Sequence, residues 1–519
     1  MPTTAPLRAA SLIAVLALLA SGCSALGAKK SAPEPSLSPS PITSSGTSTG
    51  SAPAADLAKF YGQKVTWHGC QDGDRCTRIR VPLDYAKPAG RSISLSVVKV
   101  PASDPGKRVG SLVVNPGGPG GSGVDYAVNW SAYFGTELHR AFDIVGFDPR
   151  GVGRSTPVDC LSDKQLDTVV ASDPDPDTAA ERDDSDRLLR TFGEGCVKRS
   201  GALAAHISTI EAAKDIDVLR AVLGDDKLTY FGASYGTFLG ATYADLFPKR
   251  VGRMVLDGAI DPSLSTLQLN LVQAHGFEVA LRAYVGHCVD AGGCFLGGTV
   301  DEGTRRIRQF LDGTEKKAIT GSAGRPLAAG LAVLGIWAPL YNKNYWPLLD
   351  NALRAAFGGD GSQLIGLADA YDSRGPNGYY DNSFEALYAV NCLDHDDAIP
   401  TSQVPSYIPR FEKASPTFGA IFAFGLSSCS VWPIHTHRRP EPIHAAGSPP
   451  ILVVGTTRDP ATPLTWAEAL ARQLEHGILV KRDGDGHTGY HRGSTCVDHT
   501  VESYLVSGVV PGKREVDCS

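Results

Sequence analysis

The sequence predicts an α/β protein with a mostly parallel sheet that is covered by helices on both faces. Short apolar strands alternate with helical patterns along a chain of 519 residues, and this alternation is typical of parallel sheets. A G-x-S-x-G motif, residues 232–236, separates one predicted strand from one predicted helix. Turns that contain acidic residues or histidine follow two later strands, at the sheet edge where such proteins bind their ligands.

Composition indicates an ordinary globular protein. The chain is 42% hydrophobic and 20% charged, with a net charge of −6, and its length allows one elaborated domain or two domains. A mild negative charge without a basic run argues against nucleic acid as a partner.

The first 23 residues predict an export signal of the lipoprotein type. Residues 9–20 are mostly apolar, follow Arg8 and precede Ser21-Gly22-Cys23. This run is too short to cross a bilayer but suits the core of a signal peptide. Small residues before Cys23 resemble a bacterial lipobox, so we expect a lipid on Cys23; the alternative is an ordinary signal peptide that leaves this cysteine free. Residues 24–58, rich in Ser, Pro and Thr, predict a disordered tether.

The cysteines support export to the cell envelope. The chain has 11 cysteines, and ten remain when Cys23 is set aside, an even number that suits an oxidised protein outside the cytoplasm. Their spacing suggests pairs between sequence neighbours: Cys70–Cys76, Cys160–Cys196, Cys288–Cys294, Cys392–Cys429 and Cys496–Cys518. No Cys-x-x-Cys pair occurs, and His487 and His491 lie in a glycine-rich loop, so we expect neither a metal nor a cofactor.

The order of the predicted elements divides the chain into a core and an insertion. Apolar segments typical of strands lie at 91–100, 111–114, 142–147, 227–231, 251–256, 450–455 and 477–480. Between residues 262 and 446 the pattern becomes helical, with helices predicted at 267–285, 300–313, 327–341 and 346–357. We therefore expect a core of residues 59–261 and 447–519, and a helical cap of residues 262–446 over the active site.

Ser234 is the predicted nucleophile. It lies between the strand-like segment 227–231 and apolar residues at helical spacing in 237–246. A strand–turn–helix junction of this kind strains the serine and lifts its hydroxyl clear of the sheet. A second match to the motif places Ser48 in a Ser/Thr/Gly tract without a strand or a helix. We interpret that match as chance.

Asp459 and His487 are the predicted partners of Ser234. A serine hydroxyl needs a histidine that takes its proton and a carboxylate that holds the histidine. In this architecture the chain order is serine, acid, histidine. Asp459 and His487 each follow a predicted strand after Ser234.

Other acids and histidines stay as alternatives. Asp257 and Asp261 follow the strand after the nucleophile's helix. We favour Asp459 because Asp-Pro followed by Thr-Pro ends a strand sharply and turns the side chain inward. His491 and His499 are the alternative bases, which we expect on the surface or in packing contacts because they lie near the final helix.

The transition state also needs hydrogen-bond donors for its oxyanion. Residues 115–123 contain five glycines between two predicted strands, which leaves backbone N–H groups accessible. The other donor in this architecture is the N–H of the residue after the nucleophile, Tyr235. A phosphate-binding loop is the alternative, but no Lys-Ser/Thr pair follows the glycines.

Five motifs together resemble the actinobacterial tripeptidyl-aminopeptidase-like serine hydrolases, which have the α/β-hydrolase fold. The motifs are Asn115-Pro116-Gly117-Gly118-Pro119-Gly120, Phe147-Asp148-Pro149-Arg150-Gly151, Gly232-x-Ser234-Tyr235-Gly236, Asp459-Pro460-Ala461-Thr462-Pro463 and Gly486-His487-Thr488. The group is related to prolyl aminopeptidases and includes mycobacterial cell-envelope proteases and carboxylesterases. The resemblance implies Ser234, Asp459 and His487 as the triad and Gly118 as an oxyanion donor. Pro116 stands where related hydrolases have histidine, so the anchor of this loop must differ.

The resemblance implies an exported exopeptidase that releases short peptides from N-termini. A carboxylesterase or lipase with the same triad is the alternative, and a non-catalytic binding lipoprotein is a third possibility that the intact triad opposes. We expect peptide or ester substrates and contact with the membrane only through the lipid. Recognition of a free ammonium group favours a carboxylate. Asp394 is the candidate, although the run 394–397 could equally be a solvated acidic segment.

Overall fold

The computed structural model describes residues 52–519 apart from Gln71, Ala323 and His437. The predicted signal peptide, Cys23, Ser48 and most of the predicted tether lie outside the described residues. Residues 55–61 are helical and bury Leu57, so the folded part begins before residue 59, where the sequence predicts the end of the tether. In the part of the chain that the structure describes, no helix is long and apolar enough to cross a membrane.

Ten of the twelve strands in the described residues form one mixed sheet. The strands are β1 (His68–Gly69), β2 (Arg75–Pro82), β3 (Ser92–Val100), β4 (Gly110–Asn115), β5 (Phe142–Phe147), β6 (Leu228–Ala233), β7 (Val251–Asp257), β8 (Arg374–Gly375), β9 (Gly378–Tyr379), β10 (Ile451–Arg458), β11 (Gly477–Asp485) and β12 (Glu515–Cys518). The order in the sheet is β1-β2-β3-β5-β4-β6-β7-β10-β11-β12. Neighbours are parallel from β5 to β12 and antiparallel among β1, β2, β3 and β5. The prediction of a mostly parallel sheet is confirmed.

The helices cover both faces of this sheet and form a separate layer beside it. They are α1 (Ala58–Tyr61), α2 (Gly123–Val128), α3 (Thr136–Ala141), α4 (Asp163–Val170), α5 (Ala179–Ser200), α6 (Thr209–Leu223), α7 (Tyr235–Leu246), α8 (Thr266–Asp290), α9 (Val300–Lys316), α10 (Ala329–Leu340), α11 (Trp346–Phe357), α12 (Ser362–Tyr371), α13 (Ser383–Asp394), α14 (Ile408–Ala414), α15 (Gly419–Phe424), α16 (Leu464–Gln473) and α17 (Thr495–Ser507).

Alternating side chains of each strand enter two different buried clusters. On β4, Val113 packs with α6, α7 and α16, whereas Leu112 and Val114 pack with α2, α3 and α17. A strand that is apolar on both faces is typical of a parallel sheet between two helical layers. The hydrophobic core therefore lies on both faces of the sheet, and the loops leave from the ends of its strands.

The helical insertion, residues 262–446, contains α8 to α15 and has a hydrophobic core of its own. The four helices predicted there correspond to α8, α9, α10 and α11, and each differs from its prediction by at most a few residues at the ends. The insertion also contains strands, contrary to the all-helical expectation. These are β8 and β9, two residues each, which form a small hairpin between α12 and α13.

Helices α4 and α5 form a second group of helices that the sequence analysis does not anticipate. We call residues 163–200 the α4–α5 segment. Its Asp167 receives two hydrogen bonds from the guanidinium of Arg374, at 2.6 and 2.9 Å, and its Asp175 pairs with Arg308 at 3.1 Å. Asp186 accepts a hydrogen bond from Thr401. The segment is therefore bound to the helical insertion at several points, and we call the two together the helical roof.

Five disulfides join the cysteine pairs that the spacing suggests. They are Cys70–Cys76, Cys160–Cys196, Cys288–Cys294, Cys392–Cys429 and Cys496–Cys518. Disulfides persist mainly in oxidising compartments, so these bonds suggest a location outside the cytoplasm. Each bond closes a loop of fewer than 40 residues, so the disulfides stiffen local segments rather than join distant ones.

Candidate active site

The register of the parallel strands brings the predicted residues to one edge of the sheet. Asn115 at the end of β4 is level with Gly232 on β6, and Ala233 is level with Asp257 on β7. Asp257 is in turn level with Val454 on β10. The loops that leave these strands therefore start side by side, although they are far apart in sequence.

Ser234 occupies a sharp turn between β6 and α7. Its backbone has φ 57° and ψ −127°, a region that residues other than glycine rarely adopt. The turn is held by a hydrogen bond from the Ser234 N–H to the carbonyl of Asp257 at 2.9 Å and by one from Thr237 Oγ1 to the Ser234 carbonyl at 2.6 Å. A Cβ on Gly236 would lie 2.7 Å from the carbonyl oxygen of Asn115, so the motif needs glycine there.

Asp459 and His487 form a close pair at the ends of β10 and β11. Nδ1 of His487 lies 2.9 Å from both carboxylate oxygens of Asp459. Because a carboxylate only accepts hydrogen bonds, Nδ1 carries the proton and Nε2 is left as an acceptor. Nε2 is buried and has no hydrogen-bond partner among the described residues.

The carboxylate of Asp459 is fixed by the backbone around it. The side chain is 1% exposed and accepts hydrogen bonds from the N–H groups of Ala461 at 3.0 Å, Thr462 at 2.8 Å and Thr488 at 3.0 Å. Thr462 Oγ1 donates a further hydrogen bond at 3.0 Å. A carboxylate held in this way orients the imidazole and cannot turn away from it.

The Asp257–Gly258 turn lies between the serine and the imidazole. The Asp257 carbonyl accepts the Ser234 N–H, and a Cβ on Gly258 would lie 3.2 Å from Cε1 of His487. Ser234 and His487 are thus neighbours across one turn, without a hydrogen bond between their side chains. Catalytic hydrogen bonds often shorten only when substrate binds.

The alternative acids have other structural partners. Asp257 accepts the N–H groups of Gly489 at 2.7 Å and Tyr490 at 2.9 Å, and burial raises the pKa of its carboxyl to about 6. Asp261 accepts hydrogen bonds from Ser263 and from Gln473, the latter at 2.6 Å. Neither carboxylate bonds to an imidazole.

The alternative bases are exposed and contact residues near α17. The backbone N–H of His491 donates to Asp498 at 2.7 Å, and the ring of His499 lies beside Ser503 on the exposed surface of α17. Of the candidate acids, Asp459 alone bonds to a histidine ring, that of His487. Asp257 also lies beside Ser234 through its backbone carbonyl, but its carboxylate binds backbone N–H groups instead.

The glycine-rich loop after β4 packs directly on the nucleophile turn. A Cβ on Gly117 would lie 2.8 Å from the Tyr235 nitrogen and 2.9 Å from Ser234 Cβ, so only glycine permits this approach. Oδ1 of Asn115 accepts the Gly117 N–H at 3.0 Å. This bond anchors the loop in a chain that has Pro116 where related hydrolases have histidine.

Gly118 and Tyr235, the predicted oxyanion donors, both line a cavity of about 530 Å³ that also contains Ser234. The sheet edge forms one side of this cavity, and the helical roof forms the other. The roof side is largely aromatic, with the ring of Trp337 stacked on Phe422 at 4.8 Å and tilted against Phe277 at 4.7 Å.

Comparison with known proteins agrees with this geometry. A family profile described as "alpha/beta hydrolase fold" matches residues 110–306, and one described as "TAP-like protein" matches residues 415–518. The serine protease Hip1 of Mycobacterium tuberculosis is 36% identical over 87% of this chain and 90% of that protein. Carboxylesterase B of the same organism is 34% identical, over 88% of this chain and 90% of its own length. The tripeptidyl aminopeptidase of Streptomyces lividans is 32% identical, over 86% and 83%.

The chain belongs to the TAP-like serine hydrolases of the α/β-hydrolase fold. The predicted fold class and the predicted family resemblance are therefore confirmed, and the protein is an enzyme of this family. Its relatives carry the names of peptidases and of an esterase, so the family alone does not choose between the two activities.

Tyr341 of the helical roof also contacts the imidazole of His487. The carbonyl of Tyr341, just after α10, accepts the backbone N–H of His487 at 2.8 Å. The two rings meet edge to face with centroids 5.3 Å apart, and the Tyr341 hydroxyl lies 3.2 Å from that of Tyr371. Sequence analysis missed this contact because it joins residues far apart in the chain.

Asp394 lies elsewhere than the sequence predicts for an amine-binding residue. Its side chain is 3% exposed, and the residue is not part of the cavity wall in the described structure. The carboxylate accepts hydrogen bonds from the N–H and hydroxyl of Thr209 and pairs with Arg438 at 3.0 Å. Its acceptor sites are thus used within the protein, which disfavours Asp394 as the amine-binding residue, and the assignment stays a prediction.

Proposed function

We propose that this TAP-like hydrolase releases short peptides from free N-termini through an acyl-enzyme on Ser234. The observation that carries the proposal is the close pair of His487 Nδ1 with both oxygens of Asp459. Nε2 is buried without a partner, and the Asp257–Gly258 turn contacts both this imidazole and the strained Ser234. This arrangement provides a nucleophile, a base and an orienting carboxylate.

Acylation begins when Ser234 Oγ attacks the carbonyl carbon of the scissile peptide bond. Nε2 of His487 takes the hydroxyl proton, and Asp459 stabilises the imidazolium that forms. The carbonyl oxygen becomes negative and accepts hydrogen bonds from the N–H groups of Gly118 and Tyr235, and one such donor is worth about 3–4 kcal/mol. His487 then donates its proton to the leaving amine as the C–N bond breaks.

Deacylation repeats these steps with water. His487 removes a proton from a water molecule, which attacks the ester carbonyl of the acyl-enzyme. The same two N–H groups stabilise the second oxyanion. The Ser234 oxygen leaves, regains its proton from His487, and the released product carries a new carboxylate.

The helical roof supports an exopeptidase rather than an endopeptidase. It covers the catalytic side of the sheet and leaves a cavity of about 530 Å³, which is the size of site that takes a small ligand. An endopeptidase would need an open groove instead, because its substrate chain continues on both sides of the scissile bond. Two of the relatives, the serine protease and the tripeptidyl aminopeptidase, also bear peptidase names.

A carboxylesterase is the second candidate function. The aromatic wall formed by Phe277, Trp337 and Phe422 offers an apolar surface for an acyl chain, and one relative is named carboxylesterase B. The acyl-enzyme chemistry is common to esters and amides, so only substrate comparison separates the two.

A comparison of three substrates tests the proposal. The substrates are a tripeptide anilide with a free amine, its N-acetylated form and a short acyl ester. We expect the wild-type enzyme to prefer the free-amine anilide. The Ser234→Ala variant should turn over none of the three substrates. Labelling by a fluorophosphonate should be lost in the same variant. Turnover of the ester alone would support the carboxylesterase, and equal cleavage of both anilides would indicate an endopeptidase.

We also propose that Cys23 carries the lipid that holds the enzyme at the membrane. The support is the apolar run 9–20 followed by Ser21-Gly22-Cys23, together with disulfides that suit an extracytoplasmic protein. Cys23→Ser should move the enzyme from the membrane fraction to the soluble fraction without changing its specific activity. Retention of the variant in the membrane fraction would contradict the anchor.

A further inference from the structure

The wall of the catalytic cavity has an uneven charge. Its described residues include two carboxylates, Asp173 and Asp261, but no lysine and no arginine. Most of the remaining wall is aromatic or aliphatic. One histidine, His395, also lines the cavity, and burial lowers the pKa of its imidazole. A cavity with negative groups and neither lysine nor arginine favours a ligand with a positive charge.

The two carboxylates differ in how far the protein satisfies them. One oxygen of Asp261 accepts three hydrogen bonds, two from Ser263 and one from Gln473. Asp173 accepts a single backbone hydrogen bond, from the N–H of Asp175 at 3.0 Å, and forms no ion pair within the described residues. Asp173 accepts fewer hydrogen bonds than Asp261 and is more exposed, since Asp261 is only 5% exposed. Asp173 is therefore the carboxylate of the cavity wall that is better placed to bind a cation.

The arginine that pairs with the neighbouring Asp175 is already engaged with two acids. Arg308 on α9 binds Asp175 at 3.1 Å and Asp312 at 2.6 Å, and its guanidinium also donates to a backbone carbonyl. The Asp173 loop itself is held in place, since a Cβ on Gly330 would lie 2.7 Å from the Ser172 carbonyl oxygen. Asp173 thus presents a negative charge at a defined position of the roof.

We propose that Asp173 binds the terminal ammonium group of the peptide substrate. This inference rests on the proposed peptidase function and names the group that makes it an exopeptidase. The substrate lies along the aromatic wall between Ser234 and Asp173, and its amine pairs with the carboxylate. The distance between these two residues then sets the number of residues that are released, at about 3.3–3.6 Å per extended residue.

The protonation of Asp173 gives the pairing a pH dependence. Burial raises the pKa of Asp173 to about 6, with a further rise from neighbouring acids that a hydrogen bond from the Asp175 N–H partly offsets. The charged groups that face it are Asp175 and Asp177 on its own segment, Glu181 on α5 and Glu315 on α9. The terminal ammonium group of a peptide has a pKa of about 8. The preference for a free amine should therefore be greatest between about pH 6 and about pH 8.

Three peptide anilides and three variants test the assignment. The anilides are a free-amine tripeptide with uncharged side chains, its N-acetylated form, and an N-acetylated tripeptide whose first residue is lysine. Asp173→Asn removes the charge with almost no change in shape. Asp177→Asn is the matched control, because it removes the same charge from an exposed residue of the same segment that is not part of the cavity wall.

We expect the wild type to prefer the free amine by about 30-fold or more in kcat/KM, as for other desolvated charge pairs. Asp173→Asn should abolish this preference at every pH, so the fall in preference below about pH 6 should also disappear. Labelling of Ser234 by a fluorophosphonate checks that the site of this variant is folded. Asp177→Asn should keep the preference, and Asp173→Glu should retain part of it. A preference that survives in Asp173→Asn would overturn the assignment.

Two further outcomes separate this inference from the proposed function. If Ser234-dependent cleavage of the free-amine anilide occurs but Asp173→Asn keeps the preference, the exopeptidase stands and the Asp173 assignment fails. If the wild type cleaves both uncharged anilides equally, or only esters, the proposed exopeptidase fails and Asp173 with it. Equal cleavage of the lysine anilide and the free-amine anilide would show that the site binds a side-chain amine instead, which also overturns the assignment.

Discussion

The sheet edge and the helical roof hold their polar groups in different ways. At the sheet edge, the carboxylates of Asp459 and Asp257 each accept backbone N–H groups from the turn that contains His487 or follows it. On the roof, Asp173 accepts one backbone hydrogen bond and faces an aromatic cavity. The edge is rigid because strand register and backbone hydrogen bonds fix it, whereas the roof depends on side-chain packing.

This difference assigns chemistry and selectivity to separate regions. Groups that must be held within a fraction of an ångström are best placed on regular elements. A wall made of side chains from several helices can change its shape and charge without disturbing those groups. Substitutions at the edge should therefore change turnover of every substrate, and substitutions on the roof should change the choice among substrates.

The largest effect is expected for the nucleophile and the base. Ser234→Ala and His487→Ala should each lower kcat by about 10⁶-fold on peptide and ester alike, because residues that act as a unit lose their function together. Single-turnover kinetics and labelling by a fluorophosphonate measure this loss, and circular dichroism checks that the fold is retained. Different losses for peptide and ester would show that the two substrates use different groups.

The second comparison is between the two buried acids of the sheet edge. Asp459→Asn should lower kcat by about 10⁴-fold, because the amide would stabilise the wrong tautomer of His487. Asp257→Asn should leave most of the activity and cost about 1–3 kcal/mol of stability, because one of two backbone donors loses its acceptor. Steady-state kinetics and denaturant unfolding measure both quantities. The reverse pattern would identify Asp257 as the catalytic acid.

Tyr341 is the point at which the roof meets the edge, and its replacement should have an intermediate effect. Tyr341→Ala removes the ring that packs on His487, so we expect kcat to fall by about 10- to 100-fold on peptides and esters with little change in KM. Tyr341→Phe keeps the ring and should retain nearly full activity. An effect confined to KM would mean that Tyr341 contacts substrate rather than positions the imidazole.

The smallest catalytic effect is expected at Asp394. Asp394→Asn breaks the pair with Arg438, so the free energy of unfolding should fall by about 1–3 kcal/mol. The preference for a free amine should stay the same, since the carboxylate is not part of the cavity wall. Denaturant unfolding and the ratio of kcat/KM for free and acetylated anilides measure the two effects. A loss of that preference would restore Asp394 as the amine site.

Much of the sheet edge could be predicted because its signals are local. The helices of the insertion follow from periodic apolar residues, and the nucleophile turn follows from glycines on both sides of Ser234. Asp459 and His487 each come directly after a strand, so the parallel arrangement alone places them at one edge. The choice of Asp459 over Asp257 depends on the turn after Asp459. The Pro and Thr residues of that turn favour Asp459 but do not exclude the alternative.

The roof could not be predicted in the same detail because its contacts are long-range. The acidic run at Asp394 is visible in the sequence. Its partner Thr209 lies 185 residues away, and no sequence pattern predicts the contact between the two residues. The α4–α5 segment was missed although the alternating Asp and Pro residues at 173–177 mark an unusual turn. Its role becomes apparent only when α10 and α15 pack against it and enclose Asp173 in the cavity.

The ion pairs between the α4–α5 segment and the helical insertion have a consequence for protein engineering. Arg374 and Arg308 belong to the insertion, but their carboxylate partners Asp167 and Asp175 lie 207 and 133 residues earlier in the chain. A chimera that received only the insertion from a relative would leave these partly buried charges without partners, which is costly in a protein interior. Substrate preference can therefore be exchanged between relatives only when both segments are grafted together.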